Sequence, residues 1–336
     1  MPTVWFGLVG ILLIGYAVLD GFDLGVGALH LFAKGDKERR ILLNSIGPVW
    51  DGNEVWLVVG GGALFAAFPE VYATVFSGFY LPFMLLLGGL IFRAVAIEFR
   101  SKEKGERWRK NWDIAFSVAS IVIALLMGVA LGNIVLGIPM DANYEYTGGF
   151  FNLLNPYSLI MGVTTLTLFI MHGAIYLALK TEGELQQKVR RWVSNSIKAF
   201  FTMFVILTLA TFWLAPQMAE RFIEIPWLAI LPVLLFLALL NVPRELYHGR
   251  DVLAFASSAC AVAGLLLLFG VGLFPNIVPN LVEGGNALTI ENASSSQMSL
   301  QVMFTLTLIG MPFVIAYTIA IYWVFRGKVV TDQLHY

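Results

Sequence analysis

The sequence predicts an all-α polytopic membrane protein, and three observations carry that expectation. Nine apolar stretches recur along the chain, separated by polar or Pro/Gly-rich breaks. Of its 336 residues 58% are hydrophobic and only 13% charged, with a mean hydropathy of +0.79, whereas soluble domains carry about 25% charged residues. Lysine and arginine gather in alternate breaks, the bias that orients helices across a bilayer.

The stretches lie near 4–32, 50–68, 77–98, 113–137, 156–179, 193–214, 226–241, 252–274 and 300–325. A membrane-spanning helix needs about 20 apolar residues. The first run is too long for a secretory h-region and lacks a basic n-region and a small-residue cleavage site, so it reads as a retained helix. The seventh is the short one.

Basic residues gather in or beside the first, third, fifth and seventh gaps: Lys34, Lys37, Arg39 and Arg40, then Arg100, Lys102, Lys104, Arg107, Arg109 and Lys110, then Lys180, Lys188, Arg190, Arg191 and Lys198, then Arg244 and Arg250. Arg326 and Lys328 follow the last stretch, while the alternate loops 69–76, 138–155, 215–225 and 275–299 hold one basic residue, Arg221. The positive-inside rule then places the N-terminus outside and the C-terminus in the cytoplasm, which an odd number of spans satisfies. Residues 1–336 read as a single integral membrane domain of nine transmembrane helices, and the loop pattern allows two four-helix units followed by a ninth helix.

The formal charge of −1 indicates no bulk partner such as nucleic acid. The single cysteine, Cys260, excludes an intrachain disulfide framework and a cysteine-based metal cluster. Among Ser257, Ser258, Ala259 and Ala261 it reads as a small packing residue. Asn292-Ala293-Ser294 fits a glycosylation sequon, a three-residue match too short to weigh. Gly60-Gly61-Gly62 is too short for a nucleotide site and suits close helix packing.

Acids inside the apolar runs carry the functional signal. With Trp5 as an outer-interface anchor and Lys34 in water on the inner side, Asp20 lies about 20 Å from each, near mid-bilayer. A carboxylate there costs roughly 2.5 to 3.5 kcal/mol on the insertion scale, so it works with protons or ions, or is paired. Asp23, three residues on, shares its helix face, and Gly21, Gly25 and Gly27 let another backbone approach. Asp51 and Glu54 open the second span after Pro48, where a helix start favours negative charge; for them, plain capping competes with function. Arg93 lies about two turns inside Arg100, able to snorkel or to pair with Asp23 or Asp51. Asp51, Asp23 and Asp20 thus form a ladder of proton-pathway candidates with Arg93 as counter-ion, and Glu54 and Glu98 are accessory candidates. The same groups suit a static ion-pair network.

The histidines say less. His30 and His248 lie near cytoplasmic ends and His335 in the tail; only His172 is inside a span, where its reading as a haem ligand is the minor one. No catalytic nucleophile–base pair or metal-ligand spacing stands out.

At these residues the chain resembles subunit II of the cytochrome bd-type quinol oxidases, the cyanide-insensitive type included. The likeness rests on Asp20-Gly21-Phe22-Asp23-Leu24-Gly25-Val26-Gly27, on Glu38-Arg39-Arg40, and on the long block from Asn44 through Pro48-Val49-Trp50-Asp51-Gly52-Asn53-Glu54-Val55-Trp56-Leu57. It continues through Ala63-Leu64-Phe65-Ala66-Ala67-Phe68-Pro69, Phe92-Arg93, Arg100-Ser101-Lys102, Phe274-Pro275-Asn276-Ile277-Val278-Pro279 and Asn292-Ala293-Ser294-Ser295-Ser296, nearly end to end. The resemblance implies two four-helix bundles plus one peripheral helix, and a heterodimer with subunit I in a bacterial cytoplasmic membrane. It implies that haems b and d and the quinol and oxygen sites belong to subunit I, with no cofactor or metal held by this chain beyond a structural quinone or lipid. A small single-helix accessory subunit is a further partner of that kind of complex. It also links Asp51, Asp20 with Asp23, and Arg93 to proton uptake or oxidase integrity. Val49 stands where some relatives have histidine, and the loop 215–225 is short where some carry an insert that could house a quinone. The alternative function is a stand-alone proton- or ion-coupled transporter, against which no matched pair of broken spans appears in the two halves; a purely structural scaffold is the third.

Overall fold

The computed structural model describes residues 1–282 and 284–329, so His335 lies outside the described residues. Twelve helices dominate them: α1 (Pro2–Leu29), α2 (Gly35–Ile46), α3 (Trp50–Ala67), α4 (Pro69–Gly78), α5 (Tyr80–Phe99), α6 (Glu106–Leu136), α7 (Pro156–Lys180), α8 (Gly183–Leu214), α9 (Gln217–Glu224), α10 (Ile230–Tyr247), α11 (Asp251–Leu273) and α12 (Gln297–Val324). Among the described residues eight helical segments are long and apolar enough to cross a membrane: Pro2–Phe32, Tyr80–Phe99, Glu106–Leu136, Pro156–Lys180, Gly183–Leu214, Pro226–Tyr247, Asp251–Leu273 and Gln297–Val324. The chain is a multi-pass membrane protein. α3 stands apart from those eight because its opening Asp51-Gly52-Asn53-Glu54 and its three consecutive glycines dilute an 18-residue helix.

Several helices outrun the apolar windows. α6 and α8 begin in charged turns, at Glu106 and Gly183, well before residues 113 and 193, because Glu, Arg, Lys and Gln are good helix formers once a helix is under way. α10 runs through Pro243 to Tyr247. The loop expected at 69–76 is mostly α4, started by Pro69 at its first position, where the missing N–H costs nothing. The basic segment after α1 is largely α2, with Asp36 and Glu38 in its first turn.

α1 is the hub, packed against α3, α6, α7 and α11. Its contact with α7 is backbone on backbone. A Cβ on Gly173 would lie 2.6 Å from the carbonyl carbon of Gly25, closer than any side chain tolerates. The same approach explains why Phe22, Asp23, Leu24, Gly25 and Val26 are wholly enclosed. Sequential pairs α5–α6, α6–α7, α7–α8 and α10–α11 complete the packing.

At the end away from the basic residues, the two long loops fold together. β1 (Asn276–Val278) pairs antiparallel with β2 (Leu288–Thr289), with Asn276 opposite Thr289 and Val278 opposite Leu288. Asn280 receives the Met140 amide at 3.1 Å and donates back to the Met140 carbonyl at 3.1 Å. Ser295 caps the far end of α3, its amide donating to Ala67 at 2.9 Å and its hydroxyl to Ala66 at 2.6 Å. Asn292, of the sequon-like triplet, is engaged within its loop, accepting from the Thr289 amide at 2.8 Å and donating to Ala287 at 2.9 Å. Trp5 is buried at 3% exposure under this cap, with its indole N–H on Leu300 at 2.9 Å; it anchors protein to protein, not helix to lipid headgroups. Cys260 is also a correction: it sits on the exposed face of α11, and the neighbours Ser257, Ser258 and Ala261 take the inward positions.

α12 differs from the rest. It touches α1 and α3, and Leu300 is the one residue of the helix buried within this chain.

Gly173→Val should force α1 and α7 apart. Overpacking costs about 1–3 kcal/mol where neighbours can move, and a backbone neighbour cannot, so the expected result is a sharp fall in folded protein recovered from membranes and a lower unfolding temperature in detergent.

Candidate functional site

Three helices bring the intramembrane charges together. α1 supplies Asp20 and Asp23, α3 supplies Asn53 and Glu54, and α5 supplies Arg93. Asp20 and Arg93 are each 0% exposed. Both guanidinium N–H2 groups of Arg93 donate to the two Asp20 oxygens, Nη1 to Oδ2 at 2.7 Å. Such a forked pair matches two parallel donors to two acceptors and offsets much of the desolvation of both ions; the Arg93 Nε has no hydrogen-bond partner among the described residues. The sequence suggested Asp23 or Asp51 as the partner of Arg93; the structure gives it Asp20.

Asp23 is likewise 0% exposed, but no cation among the described residues contacts it. Its Oδ2 accepts from the Asn53 side chain at 2.7 Å, and its Oδ1 has no hydrogen-bond partner among the described residues. Asn53 is 2% exposed and also donates to the Leu19 carbonyl at 3.1 Å. Its own carbonyl accepts from the Tyr322 hydroxyl of α12 at 2.9 Å. The half-buried Glu54 turns a buried Oε2 that has no hydrogen-bond partner among the described residues.

Asp51 departs from the expected ladder. It lies in the first turn of α3 but on the exposed surface of the chain. Two residues correspond to about 200° around a helix, so the inward aim of Asn53 turns Asp51 outward. Glu98 is exposed too. The buried group therefore comprises Asp20, Asp23, Arg93, Asn53 and an edge of Glu54. Asn53 was missed in the sequence because an amide in a helix start reads as a cap. The usable signal was its place in Asp51-Gly52-Asn53-Glu54, the polar opening of an otherwise apolar helix.

A second charged cluster closes the basic end. Asp113 of α6, 1% exposed, accepts from His30 Nε2 at 2.5 Å, Arg39 Nη1 at 2.8 Å and Arg100 Nε at 2.6 Å. Arg100 reaches on to Asp36 at 2.9 Å, as does Arg109 at 3.1 Å. The cluster ties α1, α2, α5 and α6 together where each leaves its apolar stretch. Sequence reading counted these arginines as loop charges and passed over Asp113, because their convergence is tertiary. Nearby, Glu38 accepts from Lys188 at 2.7 Å and from the Lys34 amide. Burial alone would raise its carboxyl; these donors outweigh that and hold it below the usual range.

His172 is 0% exposed and stacks on Phe255 with ring centroids 4.8 Å apart. Its Nδ1 hydrogen-bonds with Ser258 at 2.7 Å and its Nε2 with the Val18 carbonyl at 3.0 Å. Both ring nitrogens are engaged within the chain, which favours a packing histidine over a haem ligand. His248 is exposed and bonds the Arg244 carbonyl at 2.8 Å.

The fold and the site are those of a polytopic helical membrane protein whose interior holds an ion-paired guanidinium and, beside it, a carboxyl group with no cation partner among the described residues. The comparisons narrow it. Residues 1–325 match the family described as cytochrome bd terminal oxidase subunit II. The chain is 37% identical to cytochrome bd-I ubiquinol oxidase subunit 2 of Escherichia coli (strain K12), over 98% of this chain and 96% of that protein. It is 35% identical to cytochrome bd ubiquinol oxidase subunit 2 of Bacillus subtilis (strain 168), over 98% and 97%. In the solved bd oxidase from Geobacillus thermodenitrificans one chain aligns with a TM-score of 0.78 at 17% identity, covering 96% of this chain and 98% of that one, which shows a shared fold. The chain belongs to the cytochrome bd terminal oxidase subunit II family. It is a subunit of a quinol oxidase, a respiratory oxidoreductase, and membership in that family implies a partner subunit I.

Arg93→Met should be far more damaging than its removal of one cation suggests. Breaking a buried pair costs about 3–5 kcal/mol because the stranded charge stays buried. The expected result is near-complete loss of assembled complex in membranes, with partial recovery in the double variant Arg93→Met/Asp20→Asn. Equal loss in the single and double variants would contradict the pairing.

Proposed function

We propose that this chain is the haem-free subunit of a bacterial cytoplasmic-membrane quinol oxidase, supporting a haem-bearing subunit I and giving it a proton path from the cytoplasm for the reduction of dioxygen to water. In this reading the haems b and d and the quinol and oxygen sites belong to subunit I. α3 completes a set of nine spans, the N-terminus lies outside and the C-terminus inside, and the chain is one membrane domain of two four-helix bundles with α12 peripheral.

The observation that carries the reading is the unequal charge of the buried cluster: two fully enclosed carboxyl groups around one guanidinium. Arg93 is committed to Asp20 through both of its N–H2 groups. Among the described residues Asp23 is held only by a neutral amide, so it is the member that can take up and release a proton without breaking the ion pair. Asp51, turned outward at the basic end, is the entry. Glu54 lies three residues further along the same helix, and its unpartnered buried oxygen makes it a natural intermediate stop. Glu98 is at most an antenna at the rim.

The exposed faces of α3, α5 and α12 are where subunit I would dock. Val58, Ile91, Phe92, Leu306 and Phe313 are all exposed there. A carboxylate such as Asp51 on this surface is costly against acyl chains but not against a partner that supplies water or donors. An accessory single-helix subunit has no distinct seat to argue for. A structural quinone or lipid has one: an apolar cavity of about 290 Å³ lined by Leu13, Tyr16, Phe83, Met127 and Phe269 among α1, α5, α6 and α11. Family membership favours the oxidase over the stand-alone transporter.

Asp51→Asn in the assembled complex tests the path. Oxygen consumption with quinol should fall by about tenfold, equivalent to about 1.4 kcal/mol in the barrier, while the haem absorption spectrum keeps its intensity. Loss of the haem signals together with activity would instead make Asp51 a structural ion-pair partner.

A further inference from the structure

The last helix is thinly packed within this chain. α12 fully buries only Leu300, near its start; at its basic end Ile321 and Tyr322 are partly buried against the core, and two polar ties hold that end in place. Lys180, at the end of α7 and only 7% exposed, donates its ammonium to the carbonyls of Phe325 and Gly327, the latter at 3.2 Å. The Val329 amide returns a bond to the Lys180 carbonyl at 3.0 Å. A cation is well placed at the C-terminal end of a helix, where carbonyls lack partners and the dipole is negative. Here it comes from a different helix, so it works as a clamp as well as a cap.

The second tie lies one turn inward. Tyr322 donates to the Asn53 carbonyl oxygen at 2.9 Å, and Asn53 in turn donates to Asp23 and to Leu19. A carboxamide has an accepting end and a donating end. A hydroxyl that donates to the accepting end turns the other end, with its N–H bonds, towards Asp23. Without that hydroxyl the buried amide carbonyl is unsatisfied, which costs about 1–3 kcal/mol, and the amide loses one of the three bonds that fix which end faces the carboxyl group.

We propose that the basic end of α12 is a positioning element of the proton site: Lys180 clamps the helix end, so that Tyr322 fixes the orientation of Asn53 and thereby the donor facing Asp23. This rests on the reading of Asp23 as a proton-exchanging group. It makes Tyr322 a residue that sets how Asp23 responds to pH, without touching any reacting atom. It also couples a helix thinly packed within this chain to one of its two fully enclosed acids.

The test uses the assembled complex carrying Tyr322→Phe, Lys180→Gln or Asp23→Asn. Haem content is read from the absorption spectrum, and quinol-driven oxygen consumption is measured from pH 5.5 to 9, a range chosen to bracket about two units around neutrality. Tyr322→Phe should keep its haems, lose about threefold to tenfold in turnover and displace the pH profile, and Lys180→Gln should do the same more weakly. If Asp23→Asn lowers turnover while both other variants keep the parental rate and profile, the positioning role is overturned and the proton reading stands. If Asp23→Asn itself leaves turnover intact, the proton reading fails and the inference with it. If Tyr322→Phe and Lys180→Gln both fail to assemble, the ties are structural and the inference is overturned.

Discussion

The forked ion pair between Arg93 and Asp20 is the constraint on which the rest of the interior depends. A guanidinium and a carboxylate wholly withdrawn from water are tolerable only when they are paired, and this requires α1 and α5 to hold fixed depth and rotation. The glycines of α1 then become intelligible. They let α7 come to backbone contact on one flank, which helps to leave both acids 0% exposed. Close packing and buried charge are here the same device seen from two sides.

Around that pair the structure separates two kinds of acid that look alike in the sequence. Asp20 is paired with the Arg93 guanidinium and Asp113 with Arg39 and Arg100 as well as His30, and each locks helices together. Asp23 meets an amide and otherwise faces no donor among the described residues. A carboxyl group with one neutral partner can change its protonation without dismantling a helix interface, and the proposed path is built on that difference.

Much of the architecture could be read from residue types. The apolar runs, the basic alternate breaks and the acids at Asp20 and Asp23 follow from the cost of polarity in lipid, which leaves a strong imprint on composition. What could not be read was rotation and tertiary convergence. A period of 3.6 tells that Asn53 and Asp51 face apart but not which of them faces inward, and Asp51, the more polar, took the outer face. Arg93 was recognised as a counter-ion, yet its partner depended on the relative height of two helices. Asp113 was invisible because His30, Arg39 and Arg100 come from three other segments. The capping of α3 by Ser295 and of the last helix by Lys180 are likewise long-range, and neither obeys a local spacing rule. The likeness carried by the Asp51-Gly52-Asn53-Glu54 block located the family without distinguishing the roles within it.

The central claim is that Asp23, and not the paired Asp20, exchanges a proton when the oxidase turns over. Infrared difference spectroscopy of the intact complex, recorded between its oxidised and reduced states, addresses it directly. A carboxyl C=O band should change on reduction and should vanish from the difference spectrum in Asp23→Asn complexes that retain their haems. The same band surviving unaltered in that variant would contradict the account.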